Sequence, residues 1–211
     1  MTLGPRAYRL GKRQADVEDT RERIVDAATA LFGESGFHRV TLEDVAKRAG
    51  VARATVYYQF ESKFGLLDAV IAAIVERVGL ERVQRAREHP DAALGVRLYL
   101  KEVVAFWSKH DALHRNIFGL AAVDPEAARL VEQYDGRRKD VIAWPVKRLD
   151  DQGKLRKSMT QRHAVDVLWM LSGFRSFDQL YSRSKLSVPA AATLLSELAA
   201  NAVIEPAAAA G

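Results

Sequence analysis

Two short helical patterns are separated only by residues 49–51, and this predicted turn constrains the fold more than any other feature of the sequence. Thr41, followed three residues later by Asp44, is typical of a capped helix start, so a helix of barely two turns is predicted between Thr41 and this turn. A second short helix is predicted over residues 53–60. Gly50 permits the positive φ angle that a tight turn needs. The segment therefore predicts a helix-turn-helix, a shape that also occurs in proteins that bind no DNA.

The rest of the chain carries helical signals and almost no strand signals. β-branched and polar residues alternate nowhere over a useful length. In the first predicted helix, apolar residues recur at the spacing of one helix face: Ile24, Ala27, Ala28, Leu31 and Phe32. Six further helices are predicted to start at capping or turn residues: Ser62, Pro90 with Asp91, Asp111, Asp124 with Pro125, Thr160, and Ser187 with Pro189. We therefore expect an all-α fold of about nine helices.

Basic residues outnumber acidic ones by 32 to 27, which gives a net charge of +5 and a pI near 9.5. A basic balance favours a polyanionic partner, although many basic proteins bind no nucleic acid. The chain has no cysteine, and none of its apolar runs is long enough to span a bilayer. We expect a cytoplasmic protein with no membrane partner.

Motifs for catalysis or cofactor binding are absent from the sequence. It has no glycine-rich phosphate loop, no GxSxG elbow and no paired carboxylates on a credible catalytic scaffold. His110 and His114 have the spacing of a helical pair of metal ligands, but no HExxH arrangement and no cysteine accompany them. We expect no enzyme activity, no metal site and no cofactor.

The predicted helix-turn-helix resembles a known family. Residues 36–60 read GFHRVTLEDVAKRAGVARATVYYQF, and this run strongly resembles the DNA-binding domain of the tetracycline-repressor (TetR) family. The resemblance extends from about Thr20 to Leu67. It implies a helix that enters the major groove of double-stranded DNA, followed by a C-terminal domain that binds a ligand and forms a dimer.

The domain boundaries are expected as follows. A flexible basic arm covers residues 1–18 and carries Arg6, Arg9, Lys12 and Arg13. The TetR-type DNA-binding domain covers residues 19–66, with its motif at about 41–60. The ligand-binding and dimerisation domain covers residues 67–205, and a frayed tail covers residues 206–211. The arm is interpreted either as a solvated tail or as a segment that reaches into the minor groove.

The resemblance implies DNA-binding roles for six residues, namely Thr41, Arg53, Thr55, Tyr57, Tyr58 and Lys63. Arg53 and Thr55 are expected near base edges, where an arginine can donate two hydrogen bonds to guanine. One tyrosine is expected to pack inward and the other to contact phosphate, because adjacent helical residues cannot face the same way. Thr41 and Lys63 are expected to bind DNA phosphates. The alternatives are that Thr41 is only an N-cap and that Lys63 is only a solvated charge.

Large aromatic residues concentrate after residue 98, where the family has its ligand cavity. The predicted ligand-binding residues are Trp107, Phe118, Trp144, Trp169 and Phe174. Pro145 is expected to bend its helix and open a space beside Trp144, although aromatic residues more often fill cores than line pockets. Polar candidates to orient a small, largely apolar ligand are His110, His114, His163, Asp166 and Arg175. Surface hydration or helix pairing explains these residues at least as well.

A single helix-turn-helix reads few base pairs, so a homodimer on a palindromic operator is expected. In the family the dimer surface lies on the last two long helices. Residues 153–156 and the region from Trp169 to Leu180 look like the C-terminal domain of a TetR subgroup. The apolar stripe near the C-terminus forms part either of this surface or of the core, and it consists of Leu194, Leu195, Leu198 and Ala202.

The resemblance implies a sequence-specific transcriptional regulator, by default a repressor that leaves its operator when a ligand tilts the fourth helix. Family members often have serine or threonine, glycine and histidine where this chain has Ala52, Ala54 and Gln59, which puts the operator sequence in doubt. Two alternatives stay open. One is a helical small-molecule-binding protein or enzyme with a merely structural hairpin, and the other is an architectural DNA-binding protein without a ligand.

Overall fold

The computed structural model describes the backbone of residues 5–77 and 80–206, and the side chains of residues 15–77 and 81–206. Its helices in these ranges are α1 (Pro5–Ser35), α2 (Leu42–Ala49), α3 (Arg53–Phe60), α4 (Lys63–Arg77), α5 (Leu80–Arg87), α6 (Ala92–Lys109), α7 (Asp111–Ala121), α8 (Pro125–Asp151), α9 (Gln161–Leu171), α10 (Phe174–Asp178) and α11 (Val188–Val203). A 3-10 turn (Phe37–Arg39) follows α1, and a π-helical turn (Gln179–Arg183) follows α10. The all-α prediction is confirmed for the described residues.

The described ranges hold eleven α-helices where about nine were expected. Helix α5 was missed because it is short and mostly charged, with Ala86 as its one fully buried residue among those described. Helix α10 has only five residues, and Gly173 separates it from α9. Periodicity cannot detect a helix with so narrow an apolar face or so few turns.

Helix α1 begins at Pro5, so the structure has a helix over most of the segment for which a flexible arm was expected. Proline suits the first turn of a helix, and long straight side chains such as arginine and lysine favour its continuation. The side chains of Arg6, Arg9, Lys12 and Arg13 lie outside the described residues, as does the tail beyond residue 206.

The chain divides into two compact units, Met1–Val75 and Glu76–Gly211. The boundary that the sequence predicts between residues 66 and 67 falls inside α4, because Leu66, Leu67 and Val70 form the buried face of one continuous helix. The other large apolar residues buried in the described part of the first unit are Ile24, Val25, Phe32, Phe37, Val40, Val45, Val56, Phe60 and Ile74.

In the second unit, α6 packs against α5, α8 and α11, while α8 also packs against α7 and α9. The predicted N-caps of α6, α8, α9 and α11 are confirmed, since a side-chain oxygen of each accepts a hydrogen bond from the first helical turn: Asp91, Asp124, Thr160 and Ser187. Among the residues that the structure describes, no helix combines the length and apolar character needed to cross a membrane.

Candidate nucleic-acid interface and ligand cleft

Helix α2 begins with the predicted capping box. The hydroxyl of Thr41 accepts a hydrogen bond from the Asp44 amide at 3.1 Å, and the Asp44 carboxylate accepts one from the Thr41 amide at 2.8 Å. The same carboxylate accepts a 2.6 Å hydrogen bond from the Thr41 hydroxyl, and this hydrogen bond lowers the pKa of Asp44 below its usual value. The exposed Thr41 hydroxyl is therefore held in place at the start of α2.

The turn between α2 and α3 uses Gly50 as predicted. Gly50 has a φ of 67° and ends α2 in the left-handed conformation. An arginine of α1 then secures this end of the helix, because Arg23 donates a 2.9 Å hydrogen bond to the carbonyl oxygen of Ala49. The guanidinium of Arg21, also on α1, lies 4.6 Å from the ring centre of Phe60 at the end of α3. Nothing in the sequence pattern distinguishes these two arginines from other surface cations.

Helix α3 presents a polar and aromatic face to solvent. Val56 and Phe60 are four residues apart and are buried, so they fix the inner face of the helix. Arg53 is exposed and forms no hydrogen bond or ion pair with the part of the chain that the structure describes. Its guanidinium is therefore available to a partner at the first residue of α3.

Tyr57 and Tyr58 are both exposed, at 63% and 87% of their surface. The expectation that one of them packs inward is therefore wrong. Because α3 has only 8 residues and Val56 with Phe60 already occupies its buried side, the two tyrosines fall on the remaining sides. Both phenol rings are available to a partner of α3.

Lys63 is the first residue of α4, and its ammonium group lies 4.2 Å from the ring centre of Phe37. Burial lowers the pKa of this half-buried lysine. Ring contact with a cation is favourable, and it restricts the positions that a flexible lysine side chain adopts. Lys63 forms no ion pair with the described residues, so its charge is free to pair with an anion.

The second unit holds a cluster of aromatic rings between α6, α7 and α10. Trp107 is buried, donates a 2.9 Å hydrogen bond to the Ser172 carbonyl oxygen, and lies edge to face with His114 at 4.8 Å between ring centres. Phe118 and Phe174 are stacked, with ring centres 4.9 Å apart and an interplanar angle of 21°. Phe174 also contacts Trp107 and His114.

A half-open cleft of about 590 Å³ lies beside this cluster. Its lining is Phe118, Ala121, Ala128, Val131, Glu132, Asp135, Gly136, Arg138, Lys139, Trp169, Met170, Gly173, Phe174, Arg175 and Ser176. Three of the five predicted ligand-binding residues, Phe118, Trp169 and Phe174, are in this lining. The volume falls within the roughly 300–1,000 Å³ range of small-molecule sites.

The other two predicted ligand-binding residues, Trp107 and Trp144, do not line the cleft. Trp107 contacts the Phe118 and Phe174 rings edge to face, at 6.1 and 5.6 Å between ring centres, and so supports the wall without lining the cleft. Trp144 is 48% exposed, because its neighbours Ile142, Pro145 and Val146 take the buried side of α8. The helix continues through Pro145 to Asp151.

Asp135, Arg138 and Lys139 in the wall of the cleft were missed from the sequence because each resembles a member of a solvated ion pair on a helix surface. Arg138 forms a 3.2 Å ion pair with Asp135 and donates hydrogen bonds to the Trp169 carbonyl oxygen at 2.9 Å and to the Ser172 hydroxyl at 2.6 Å. These bonds join α8 to the end of α9. The Arg138 side chain is only 15% exposed, so it belongs to the wall of the cleft.

Lys139 forms a 2.5 Å ion pair with Asp166 of α9. Its ammonium group and the Arg138 guanidinium lie 5.4 and 5.5 Å from the ring centre of Trp169. Two cations of the protein itself thus occupy the vicinity of the indole ring. No group of three or more potential metal ligands comes together among the described residues.

His114 gives a prediction for stability against pH. Burial lowers its pKa from 6.5 to about 4, and its Nδ1 lies 3.2 Å from the Trp107 carbonyl oxygen. Because a carbonyl oxygen only accepts, Nδ1 carries the proton of a neutral ring. In the unfolded chain the His114 ring takes up a second proton near pH 6.5, whereas in the folded protein it does so only near pH 4. The stability that comes from the neutral ring is therefore fully present above pH 6.5 and is lost as the pH drops toward 4.

We expect the second unit to lose about 2 kcal/mol more stability than a His114→Gln variant when the pH falls from 7 to 5. Glutamine keeps an N–H donor but does not titrate in this range. Urea unfolding followed by tryptophan fluorescence reports this unit alone, because all three tryptophans lie in it. Parallel pH dependences of the two proteins would show that His114 does not titrate in this way.

Comparison with known proteins gives a consistent result. Residues 24–70 match the family model for bacterial regulatory proteins of the tetR family. The HTH-type transcriptional regulator SrpR of Pseudomonas putida is 44% identical over 62 residues, which cover 29% of this chain and only 29% of SrpR. The HTH-type transcriptional regulator UidR of Escherichia coli is 24% identical over 163 residues, or 74% of this chain and 81% of UidR.

Solved structures share the fold over most of the chain. The structure of a SmeT–triclosan complex superposes with a TM-score of 0.68 at 24% identity, covering 88% of this chain and 92% of SmeT. At that identity the similarity establishes the fold of the second unit but not its ligand.

Proposed function

This chain belongs to the TetR family of bacterial regulatory proteins, and we propose that it is a sequence-specific repressor that a small molecule releases from its operator. The observation that carries the proposal is the outer face of α3, where Arg53, Tyr57 and Tyr58 are exposed and their side chains form no hydrogen bond or ion pair with the described residues. A helix with this face suits the major groove of double-stranded DNA. No catalytic step and no cofactor form part of the proposal.

In the proposed complex, Arg53 and Thr55 read base edges. A guanidinium that has no partner among the described residues can donate two parallel hydrogen bonds to guanine, while the threonine offers a hydroxyl and a methyl group. Tyr57 and Tyr58 extend from the same helix and contact the DNA backbone through their hydroxyls. Such backbone contacts fix the register of the protein without reading sequence.

Two further residues are proposed to bind phosphates from neighbouring helix starts. Thr41 stands at the start of α2, and Lys63 stands at the start of α4. Free amides and the helix dipole favour an anion at such a position. The capping box fixes the Thr41 hydroxyl, and the Phe37 ring restricts Lys63, so both groups reach DNA with little loss of freedom.

A homodimer is proposed because one α3 reads too few base pairs for useful specificity. Paired reading helices need half-sites about 34–36 Å apart, or a multiple of that spacing. Leu194 and Leu198 on α11 and Met170 on α9 are 36%, 46% and 58% exposed, and they supply an apolar surface for a second copy. Leu195 is 3% exposed and Ala202 packs against the core, so only Leu194 and Leu198 of this stripe are left for the proposed surface.

The cleft between α7, α8, α9 and α10 is the proposed ligand site, with Phe118, Trp169 and Phe174 in its wall. A ligand releases the operator only if it binds the DNA-incompetent state more tightly, because equal affinity for both states shifts no equilibrium. We propose that this selection changes the separation of the two reading helices. The protein is proposed to act in the bacterial cytoplasm, where its DNA partner lies.

Selection from a random pool of duplexes tests this function with the purified full-length chain. We expect enrichment of a palindromic site, binding of two chains per duplex by analytical ultracentrifugation, and an affinity that falls steeply with salt. Specific sites are typically about 10³–10⁷-fold tighter than random DNA. A protein that binds all duplexes alike would be architectural, and one that binds none would favour a small-molecule-binding protein with a structural hairpin.

A further inference from the structure

The residues that line the cleft in the second unit indicate the chemical class of its ligand. We infer that its ligand is an amphipathic anion, with a carboxylate or similar head group at Arg175 and an apolar body against the Phe118–Phe174 wall. This inference rests on the proposed function only for its regulatory meaning, since binding to the cleft is measured without DNA.

The apolar part of the site is a continuous wall. The stacked rings of Phe118 and Phe174 form one side, and Ala121, Ala128 and Val131 extend it along α7 and α8. Contact with such a surface is favourable for an alkyl or aryl group because it removes apolar area from water. The ligand therefore has an apolar body.

Most polar groups of the cleft already have partners. Asp135 is paired with Arg138, Lys139 is paired with Asp166, and the Ser176 hydroxyl donates to the Met170 carbonyl oxygen. Each of these groups is already at least partly neutralised or satisfied by its partner, so a ligand gains less from it than from an unpaired charge. A ligand head group must find a group that the fold leaves free.

Arg175 and Glu132 are the two charged residues of the lining that have no hydrogen bond or ion pair with the described residues. Both are exposed at the mouth of the cleft. Arg175 offers a planar set of N–H donors that matches a carboxylate, whereas Glu132 would attract a cation. The neighbouring charges decide between these two possibilities.

The neighbouring charges oppose a cationic ligand. An aromatic ring often binds a ligand cation, but the ring of Trp169 already has Arg138 and Lys139 within 5.5 Å of its centre. A third cation would have to compete with them for the same ring. The ion pairs balance Arg138 against Asp135 and Lys139 against Asp166, so the choice of an anion rests on this occupied ring and on the guanidinium of Arg175, which is free among the described residues.

Three probes with one alkyl chain and different head groups test the inference: decanoate, 1-decanol and decyltrimethylammonium. Each is titrated into the full-length protein by calorimetry below its critical micelle concentration. We expect decanoate to bind about three- to tenfold more tightly than decanol, an effect limited by the exposure of Arg175, and decyltrimethylammonium to bind most weakly. Equal or tighter binding of the cation, or no binding of decanoate, would overturn the inference.

Two substitutions at the mouth of the cleft test whether the preference for decanoate over decanol comes from Arg175 and Glu132. Arg175→Gln should remove the preference for decanoate over decanol and leave the affinity for decanol within about twofold. Glu132→Gln should strengthen decanoate binding, because it removes a repulsive charge. Arg183→Gln is the matched control, since it removes an exposed arginine of the same unit that does not line the cleft. If Arg175→Gln and Arg183→Gln bind decanoate alike, the head group is not at Arg175.

The same proteins separate this inference from the proposed function. If the selected duplex binds but decanoate does not, only the ligand class is wrong. If decanoate binds with the expected preference but no duplex is selected, the ligand class stands and the repressor function fails.

Discussion

Alanine at position 65 is expected to destabilise the N-terminal unit by about 3–5 kcal/mol, although alanine favours helices more than glycine does. Gly65 lies in the first turn of α4, directly against the last turn of α3. A Cβ atom built there falls far inside van der Waals contact with the Phe60 carbonyl oxygen. Because that oxygen belongs to the backbone, rotation of a side chain cannot relieve the overlap. The end of α3 or the start of α4 must move.

Gly119→Ala is the control for Gly65→Ala. Gly119 is also inside a helix, α7, but an added Cβ meets no atom within 4 Å. We therefore expect Gly119→Ala to stabilise its unit by about 0.5–1 kcal/mol. Circular dichroism follows both variants, and tryptophan fluorescence separately reports the second unit, where Gly65→Ala should leave unfolding unchanged. A Gly65→Ala protein with wild-type stability would contradict the close approach of α3 to α4.

The helix-turn-helix was predictable because its signals are local. The capping box of Thr41 and Asp44, the left-handed Gly50 and the cap at Ser62 each depend on residues within four positions of one another. Ser62 accepts a 2.9 Å hydrogen bond from the Gly65 amide, as its position before the apolar run indicated. Hydrogen bonds between residues so close in the chain require particular residue types at a fixed spacing, and that spacing can be recognised in the sequence.

The failures occurred where distant residues decide the outcome. One of Tyr57 and Tyr58 was expected to pack inward, but Val56 and Phe60 are the buried residues of α3 and both tyrosines are exposed. Trp144 was placed in the cleft for its size and for Pro145, yet burial of its neighbours turns it outward. Which side chains of a helix are buried depends on which of its faces the neighbouring helices cover. Those helices are distant in the sequence, so no short sequence window contains that information.

The polar side of the cleft shows the same limit. Arg138 and Asp135 are three residues apart on α8, a spacing typical of a solvated pair on a helix surface. Their role appears only when α9 brings the Trp169 carbonyl oxygen and the Ser172 hydroxyl within hydrogen-bond distance of Arg138. Arg175 was named among the polar candidates, but its freedom from internal partners becomes evident only in the structure.

Removal of the Arg53 side chain is expected to cause the largest loss of operator affinity. A bidentate contact between arginine and guanine contributes about 1–3 kcal/mol of discrimination. A dimer makes that contact once in each half-site, so Arg53→Ala should weaken binding to the selected duplex by roughly 30-fold to 10⁴-fold. Arg53 is exposed and has no partner among the described residues, so the fold should not change.

Two further variants separate base reading from charge. Arg53→Lys keeps the positive charge but loses the paired donors of the guanidinium, so it should bind random DNA normally and still discriminate poorly. Arg82→Ala removes an exposed arginine of the second unit and should leave both affinities unchanged. Fluorescence anisotropy with the selected duplex and with a mismatch series gives the two affinities for each variant. If Arg53→Lys retains full discrimination, Arg53 binds phosphate, and the base contacts must come from Thr55 and the two tyrosines.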